Sequence, residues 1–306
     1  MFPTQLTALP GGMTRVDVTV SGEMKWSPGQ HCYLRFPGLG GWDNHPFTVA
    51  SFPTPGDDEH ENEGKDEKYN GGGGVQRRLT FFIRAHQGFT RKLAVSTQNK
   101  SGTSTLTHVW LDGPYGGAPI NINEARYDTV TLIAGGSGIT ACLSWLSHLA
   151  QRDQPQAQAG AQDQVNGNVS VSVAKINLLW VVRQRAHTAW ISAELESARR
   201  LLGGAGRLSV SFYVTDTPRG EGERKEGNEV KIEEAEKGLR SAEAIEGNGD
   251  DGAVAGGTFH DGRPFIPVLL PEMLGEGRNL VVGESLSPLR FLSVSASATF
   301  YTRFLV

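Results

Sequence analysis

Tyr127-Asp-Thr-Val-Thr-Leu-Ile-Ala-Gly-Gly-Ser-Gly-Ile-Thr140 decides the fold. Its first part, through Ala134, reads as one buried strand, because a strand covered on both faces shows an apolar run rather than alternation. Gly135-Gly-Ser-Gly138 follows, and an apolar helical run then extends from Ile139 to about Ala150. Glycines at a strand-to-helix junction let backbone approach a pyrophosphate. The helix N-terminus adds free N–H groups and a positive dipole end. The spacing is not the G-x-G-x-x-G fingerprint, and a plain tight turn uses the same residues.

The same alternation continues downstream. Lys175–Val182 reads as a second buried strand, and 188–202 as a helix with Leu195, Ala198 and Leu202 in register. Leu208–Val214 and Asn279–Val282 read as two further strands. Strands alternating with helices predict a parallel α/β sheet over 125–306. Upstream of residue 127 the texture differs. Short β-prone runs at 13–20, 31–36, 47–51, 79–84 and 107–111 are separated by turns. They predict a small antiparallel barrel over 1–120.

Three stretches interrupt this pattern. Residues 56–74 are acidic and end in four glycines, 151–170 are rich in Gln, Ala, Asn and Gly, and 217–258 are charged and Gly-rich. None buries enough apolar surface to offset its ordering entropy, so all three are expected to be disordered or mobile insertions. The low apolar share of the whole chain, 38%, agrees with that. A net charge of −4 offers no basic field for nucleic acid. Cys32 and Cys142 are too few and too distant for a disulfide framework, and the eight histidines show no metal-ligand spacing, so no metal site is expected. No run reaches the ~18 apolar residues of a membrane helix, and no signal peptide opens the chain. By its own sequence it is expected to be soluble and cytosol-facing.

Five motifs stand in order: His45-Pro-Phe-Thr48, Ile83-Arg84 with Gly88-Phe-Thr90, Asp112-Gly-Pro-Tyr-Gly116, Gly135-Gly-Ser-Gly-Ile-Thr140, and Trp180-Val-Val-Arg183. Together they resemble the ferredoxin-reductase-type module of fungal ferric reductases and NADPH oxidases, from about residue 13 to about 283. The resemblance implies an FAD-binding barrel followed by an NADPH-binding α/β domain. It places Phe47 against the isoalloxazine, Thr48 near the reactive flavin nitrogen, and His45, with Pro46, where relatives carry a cation near the FAD phosphates. Gly88 and Thr90 match the segment holding the FAD pyrophosphate, with Arg84 as an added charge. Tyr115 matches the linker near the nicotinamide. Gly135, Gly136, Gly138 and Thr140 match the pyrophosphate loop for the nicotinamide nucleotide. Arg183 is implied to meet its 2′-phosphate, which favours NADPH over NADH. Arg263, in Gly262-Arg-Pro264, is a further candidate there. No residue is singled out as catalytic.

The resemblance further implies a haem-bearing membrane domain as partner, in cis or in trans, with haem only where that domain is present. Ferric or cupric ion is the implied final acceptor, and the cytosolic face of a membrane, the plasma membrane first, the implied location. The spacing in Gly88-Phe-Thr90 is nearer the metal-reductase branch than the oxidases that reduce oxygen. Two departures stand out. The chain begins almost at the barrel, with no haem-bearing helices. Its last strand, Val281-Val-Gly-Glu-Ser-Leu286, lacks the family's Cys-Gly-Pro turn, and the terminal aromatic over the flavin falls to Phe300, Tyr301 or Phe304. A catalytically impaired nucleotide-binding remnant is therefore the alternative from another class.

Overall fold

Val16, Val18 and Val20 share one face of an extended segment, and β-branched side chains favour a pleated backbone. All three are buried. The computed structural model describes residues 1–40, 44–53, 75–98, 105–117, 127–152, 173–203, 206–216, 256–284 and 298–303. It makes these valines the inner face of strand β2 (Met13–Ser21). β2 pairs antiparallel with β1 (Phe2–Leu9) and with β5 (Gln76–Arg84). With β3 (His31–Arg35), β4 (His45–Thr48) and β6 (Thr105–Tyr115) they form a sheet of order β4-β3-β6-β1-β2-β5.

The two ends of this sheet meet just past β4. The Ala50 N–H donates to Thr80 O (2.8 Å), and the Thr80 N–H donates to Ser51 Oγ (3.0 Å). The antiparallel barrel is as expected. A one-turn helix, α1 (Pro37–Gly40), and α2 (Phe89–Gln98) complete it. α2 buries Phe89, Leu93, Ala94 and Thr97 on one stripe, the first two within the barrel's core.

The second sheet is wholly parallel. Its strands are β7 (Thr129–Gly135), β8 (Lys175–Val182), β9 (Leu208–Val214), β10 (Thr258–Asp261), β11 (Asn279–Glu284) and β12 (Ala298–Arg303), in the order β10-β9-β8-β7-β11-β12. Helices cover both faces, as a doubly wound sheet requires. α3 (Ile139–Arg152) and α4 (Ser192–Leu201) pack over Val130, Leu132, Leu178 and Trp180. α5 (Ile266–Met273) packs over Ile133, Leu179 and Val281 on the other side. Strands β7 to β10 step outward in one direction, and β11 then returns to the opposite flank of β7. The point where strand order reverses therefore lies at the C-terminal end of β7, where such sheets bind ligands.

Several expectations change. The first strand is Phe2–Leu9, upstream of the first β-prone run at 13–20. Strand β1 has only Leu6 as a strongly apolar buried residue beside the buried Thr4, so pairing with β2 and β6, rather than its own pattern, makes it a strand. Gln151 and Arg152 belong to α3, not to the insertion at 151–170, and Thr258 opens β10 rather than closing the insertion at 217–258. Gly256 and Gly257 are also described; 153–170, 217–255 and 56–74 lie outside the described residues. Phe300 and Tyr301 fall within β12, in register with Val281 and Val282. Their backbone is part of the ladder of the second sheet rather than a free tail; Phe304 lies outside the described residues.

The two sheets share an apolar seam. Met13, Ala50 and Phe82 of the barrel belong to the core cluster of the parallel sheet. Polar contacts run along it. Ser144 Oγ on α3 donates to Ser51 O (3.3 Å), and Trp190 Nε1 donates to Pro10 O (2.8 Å). Gly11 has φ 70°, and a Cβ there would lie 2.3 Å from His187 Nε2, so only glycine permits this approach.

His148, on α3, sets its ring edge against Phe52 across the same seam, at 4.5 Å. Its Nδ1 is buried without a partner. Burial first, and the nearby Arg152 second, push its pKa down from 6.5 to about 4. The unfolded chain therefore binds the proton more readily than the folded one. Stability is retained above about pH 6.5 and is lost as the pH falls toward 4, by up to about 3 kcal/mol. Urea unfolding midpoints of the wild type should drop across that window, and the drop should be smaller in His148→Gln.

Candidate functional site

Residues two apart on a strand share a face, so His45 and Phe47 point together and Thr48 points to the other side. β4 is the free edge of its sheet, where Pro46, which lacks an N–H, costs no ladder bond. His45 stacks on Phe89, with ring centroids 5.2 Å apart and planes 18° apart, and lies 6.3 Å from Phe47. Phe89 is the first residue of α2, so the stack brings His45 and Phe47 to the turn Gly88-Phe-Thr90. Thr90 Oγ1 accepts the His86 N–H (3.0 Å) and donates to Gln87 O (3.3 Å), fixing the start of α2. Gly88 has φ 61°, and a Cβ there would meet nothing within 4 Å.

Thr48 is 6% exposed, yet its Oγ1 has no hydrogen-bond partner. A buried hydroxyl left unpaired costs on the order of 1–3 kcal/mol, which a ligand's acceptor or donor recovers. Thr48 stands opposite His31, and His31 opposite Tyr115, so the three occupy one row across β4, β3 and β6. Tyr115, Tyr33 and His31 form an aromatic cluster with centroids 5.7–6.2 Å apart. The Tyr115 hydroxyl donates to Asp112 Oδ1 (2.6 Å), and this bond chiefly raises its pKa. Cys32, between His31 and Tyr33, is no nucleophile: burial, then Asp112, pushes its thiol up to about 12.

At the second sheet, Gly135 ends β7, Gly136–Gly138 form one tight turn, and α3 begins at Ile139. Gly136 has φ 52°, and a Cβ there would meet nothing within 4 Å. Trp180 Nε1 donates to Gly136 O (2.9 Å), and the buried Thr140 donates to Ser137 O (3.1 Å), so the turn is held from below and from the helix. It sits at the reversal point of the sheet, with its open side at the C-terminal edge. Arg183 follows β8 at the same edge. Its ion pair with Asp216 is 3.5 Å long, and the two side chains are 69% and 48% exposed. Such a pair is worth little, so the guanidinium remains available to an anion.

Of the residues expected at the site, His45, Phe47, Gly88 and Thr90 come together on one side of β4. Thr48 and Tyr115 share the row on the other side, and Gly135, Gly136, Gly138, Thr140 and Arg183 share the edge of the parallel sheet. Arg84 pairs with Met13 of β2. It lies at the end of β5, where it and Arg183 both bear on His187; burial first, then these two charges, lowers the His187 pKa. Arg185 escaped notice in the sequence, although it lies two residues past Arg183; its guanidinium lies 4.2 Å over the Phe259 ring, at the same sheet edge. Ser51 and Ser144 also escaped notice, because nothing in either local pattern shows that the two meet. Among the described residues no group of three His, Cys, Asp or Glu side chains gathers to hold a metal ion. Nor is any helix among them long and apolar enough to cross a membrane.

An antiparallel barrel with an unpaired hydroxyl on its edge strand, joined to a parallel sheet with an open glycine turn at its reversal point, defines a flavin- and nicotinamide-nucleotide-binding module. Sequence comparisons agree. The ferric reductase NAD binding domain matches residues 127–282, and an FAD-binding domain matches residues 3–61. The chain belongs to the ferric reductase NAD-binding family, with an FAD-binding domain preceding it. It is 32% identical over 194 residues to a probable cell surface ferric reductase, kap2, of Aspergillus oryzae, covering 63% of this chain and 22% of that protein. It is 32% identical over 195 residues to ferric/cupric reductase transmembrane component 7 of Saccharomyces cerevisiae (63% and 24%). It is 30% identical over 195 residues to a superoxide-generating NADPH oxidase heavy chain of Dictyostelium discoideum (62% and 25%). The chain thus spans about a quarter of the length of these relatives.

Two substitutions separate ligand geometry from fold. Thr48→Val removes a hydroxyl without a protein partner, so the ligand-free protein should melt at an unchanged or higher temperature. Gly136→Ala forces a left-handed residue and should cost about 1 kcal/mol in urea unfolding, with no core disruption.

Proposed function

We propose that the chain is the NADPH- and FAD-binding part of a metalloreductase, whose acceptor, ferric or cupric ion, is reached through a haem-bearing membrane domain in cis or in trans. In that role it lies at the cytosolic face of a membrane, the plasma membrane first. The observation that carries this reading is the unpaired Thr48 hydroxyl on β4, tied through Ser51 and Ser144 to the helix that begins at the glycine turn. Bound FAD supplies chemistry that no side chain has: it takes up two electrons together and releases them singly.

The residues divide the binding. Phe47 offers a ring face to the flavin, and Thr48 gives its buried hydroxyl to the flavin's polar edge. His45, with the backbone of Gly88 and the start of α2, faces the FAD pyrophosphate. Gly135, Gly136 and Gly138 give the nucleotide pyrophosphate close approach to the N-terminus of α3. Arg183 meets the 2′-phosphate, and Tyr115 lies beside the nicotinamide. Oxygen as acceptor is the second reading, supported by the similarity to the Dictyostelium oxidase. Superoxide formation without metal reduction by the full-length protein would favour it.

Purified protein loaded with FAD and mixed anaerobically with NADPH should bleach near 450 nm; flavin that stays oxidised sinks the reading. Thr48→Val should weaken FAD binding about ten-fold, measured by flavin fluorescence, and Thr48→Ser should restore it. Arg183→Ala should weaken NADPH binding about ten-fold or more while leaving NADH binding nearly unchanged.

A further inference from the structure

Arg15 lies on β2 of the barrel and reaches across the seam. Its Nε donates to Asp17 Oδ2 on the same strand (2.8 Å), and its Nη1 donates to Glu194 Oε1 (2.5 Å) in the first turn of α4. Asp17 Oδ1 accepts the Thr80 hydroxyl on β5 (2.7 Å). Thr80 O in turn accepts the Ala50 N–H, two residues beyond Thr48. One continuous set of bonds therefore joins the end of the flavin-motif strand to α4, the helix that follows Arg183 and Arg185.

This is not a surface ion pair. The Arg15, Glu194 and Asp17 side chains are only 21%, 15% and 11% exposed, and the guanidinium sits 5.6 Å over the Phe82 ring. The second Glu194 oxygen, Oε2, is buried with no partner. Arg15 is thus the residue that meets the Glu194 carboxylate, and removing one member of such a pair leaves an uncompensated charge in the seam. The Arg15 fork also fixes direction as well as distance, because its two donors are held in one plane.

We infer that Arg15 is a positioning residue: by bridging Asp17 and Thr80 in the barrel to Glu194 in the parallel sheet's lobe, it sets the relation of β4 to the glycine turn. This rests on the reading that NADPH delivers a hydride to flavin held between the two. Hydride transfer depends steeply on approach; a misplacement of about 1 Å can cost ~100-fold in rate. Arg15 touches neither cofactor.

Arg15→Met and Glu194→Gln test it, with wild type as control. Wild-type flavin that NADPH cannot reduce would refute the functional reading and not this one. In both variants FAD content and NADPH affinity should stay near wild type. Backbone amides of residues 11–17 and 185–195 should exchange hydrogen faster. The flavin-reduction rate at saturating NADPH should fall about ten-fold or more, with Arg15→Lys between the extremes. If Arg15→Met does not fold, Glu194→Gln, which keeps the side chain's shape, carries the test. Exchange that does not change, or a rate within about two-fold of wild type despite faster exchange, overturns the inference.

Discussion

Met13, Ala50 and Phe82 belong to the barrel by chain order, yet their side chains complete the apolar core of the parallel sheet. Burying a large apolar side chain contributes about 1.5–3 kcal/mol, whereas a single hydrogen bond contributes about 0.5–1.5 kcal/mol net. The apolar seam therefore supplies the attraction between the lobes. The polar contacts at its rim, Ser144 to Ser51, Trp190 to Pro10 and Arg15 to Glu194, choose the angle at which they meet. Apolar packing is non-directional; hydrogen bonds and forked ion pairs are not. Both are needed when two ligands bound on different sheets must face each other.

The site follows from where each sheet cannot complete its own bonding. β4 is a free edge and carries a proline, an unpaired hydroxyl and a half-buried ring. The parallel sheet reverses its strand order beside β7, and the chain leaves it there through a turn in which the Cβ position of Gly136 faces open space. Neither place is favourable for folding alone. On the function proposed above, a flat aromatic ring and a pyrophosphate supply the missing contacts. At the glycine turn, the aromatic row of Trp180, Phe212 and Phe259 supplies the support, Trp180 donating to Gly136 O.

Much of this was legible in the residues. The unbroken apolar run before Gly135 announced a strand covered on both faces, and the order of five motifs announced the family. The less legible parts depend on partners distant in sequence. β1 is a strand because β2 and β6 flank it; Pro3 and its threonines give little signal of their own. α2 reads locally as a turn motif because Gly88-Phe-Thr90 dominates it, although Phe89 and Leu93 fill the barrel core. Arg84 matched a phosphate-binding position by motif; that its register opposite Met13 also brings its charge to bear on His187 has no local signal. The Arg15–Glu194 bridge spans 179 positions, and no local pattern encodes it.

The direction of the parallel strands also governs how the module accommodates added chain. Every strand of that sheet ends at the nucleotide-facing edge, so the route from Arg152 at the end of α3 to Val173 before β8 starts and finishes at the opposite edge. Lengthening a connection costs only about 0.6 kcal/mol per doubling. Added chain joined at those two anchors is therefore cheap in stability, and its two ends are fixed at the edge opposite the glycine turn. The same geometry makes those two anchors a natural port for grafting a reporter or a second domain onto the module, at the edge opposite the glycine turn.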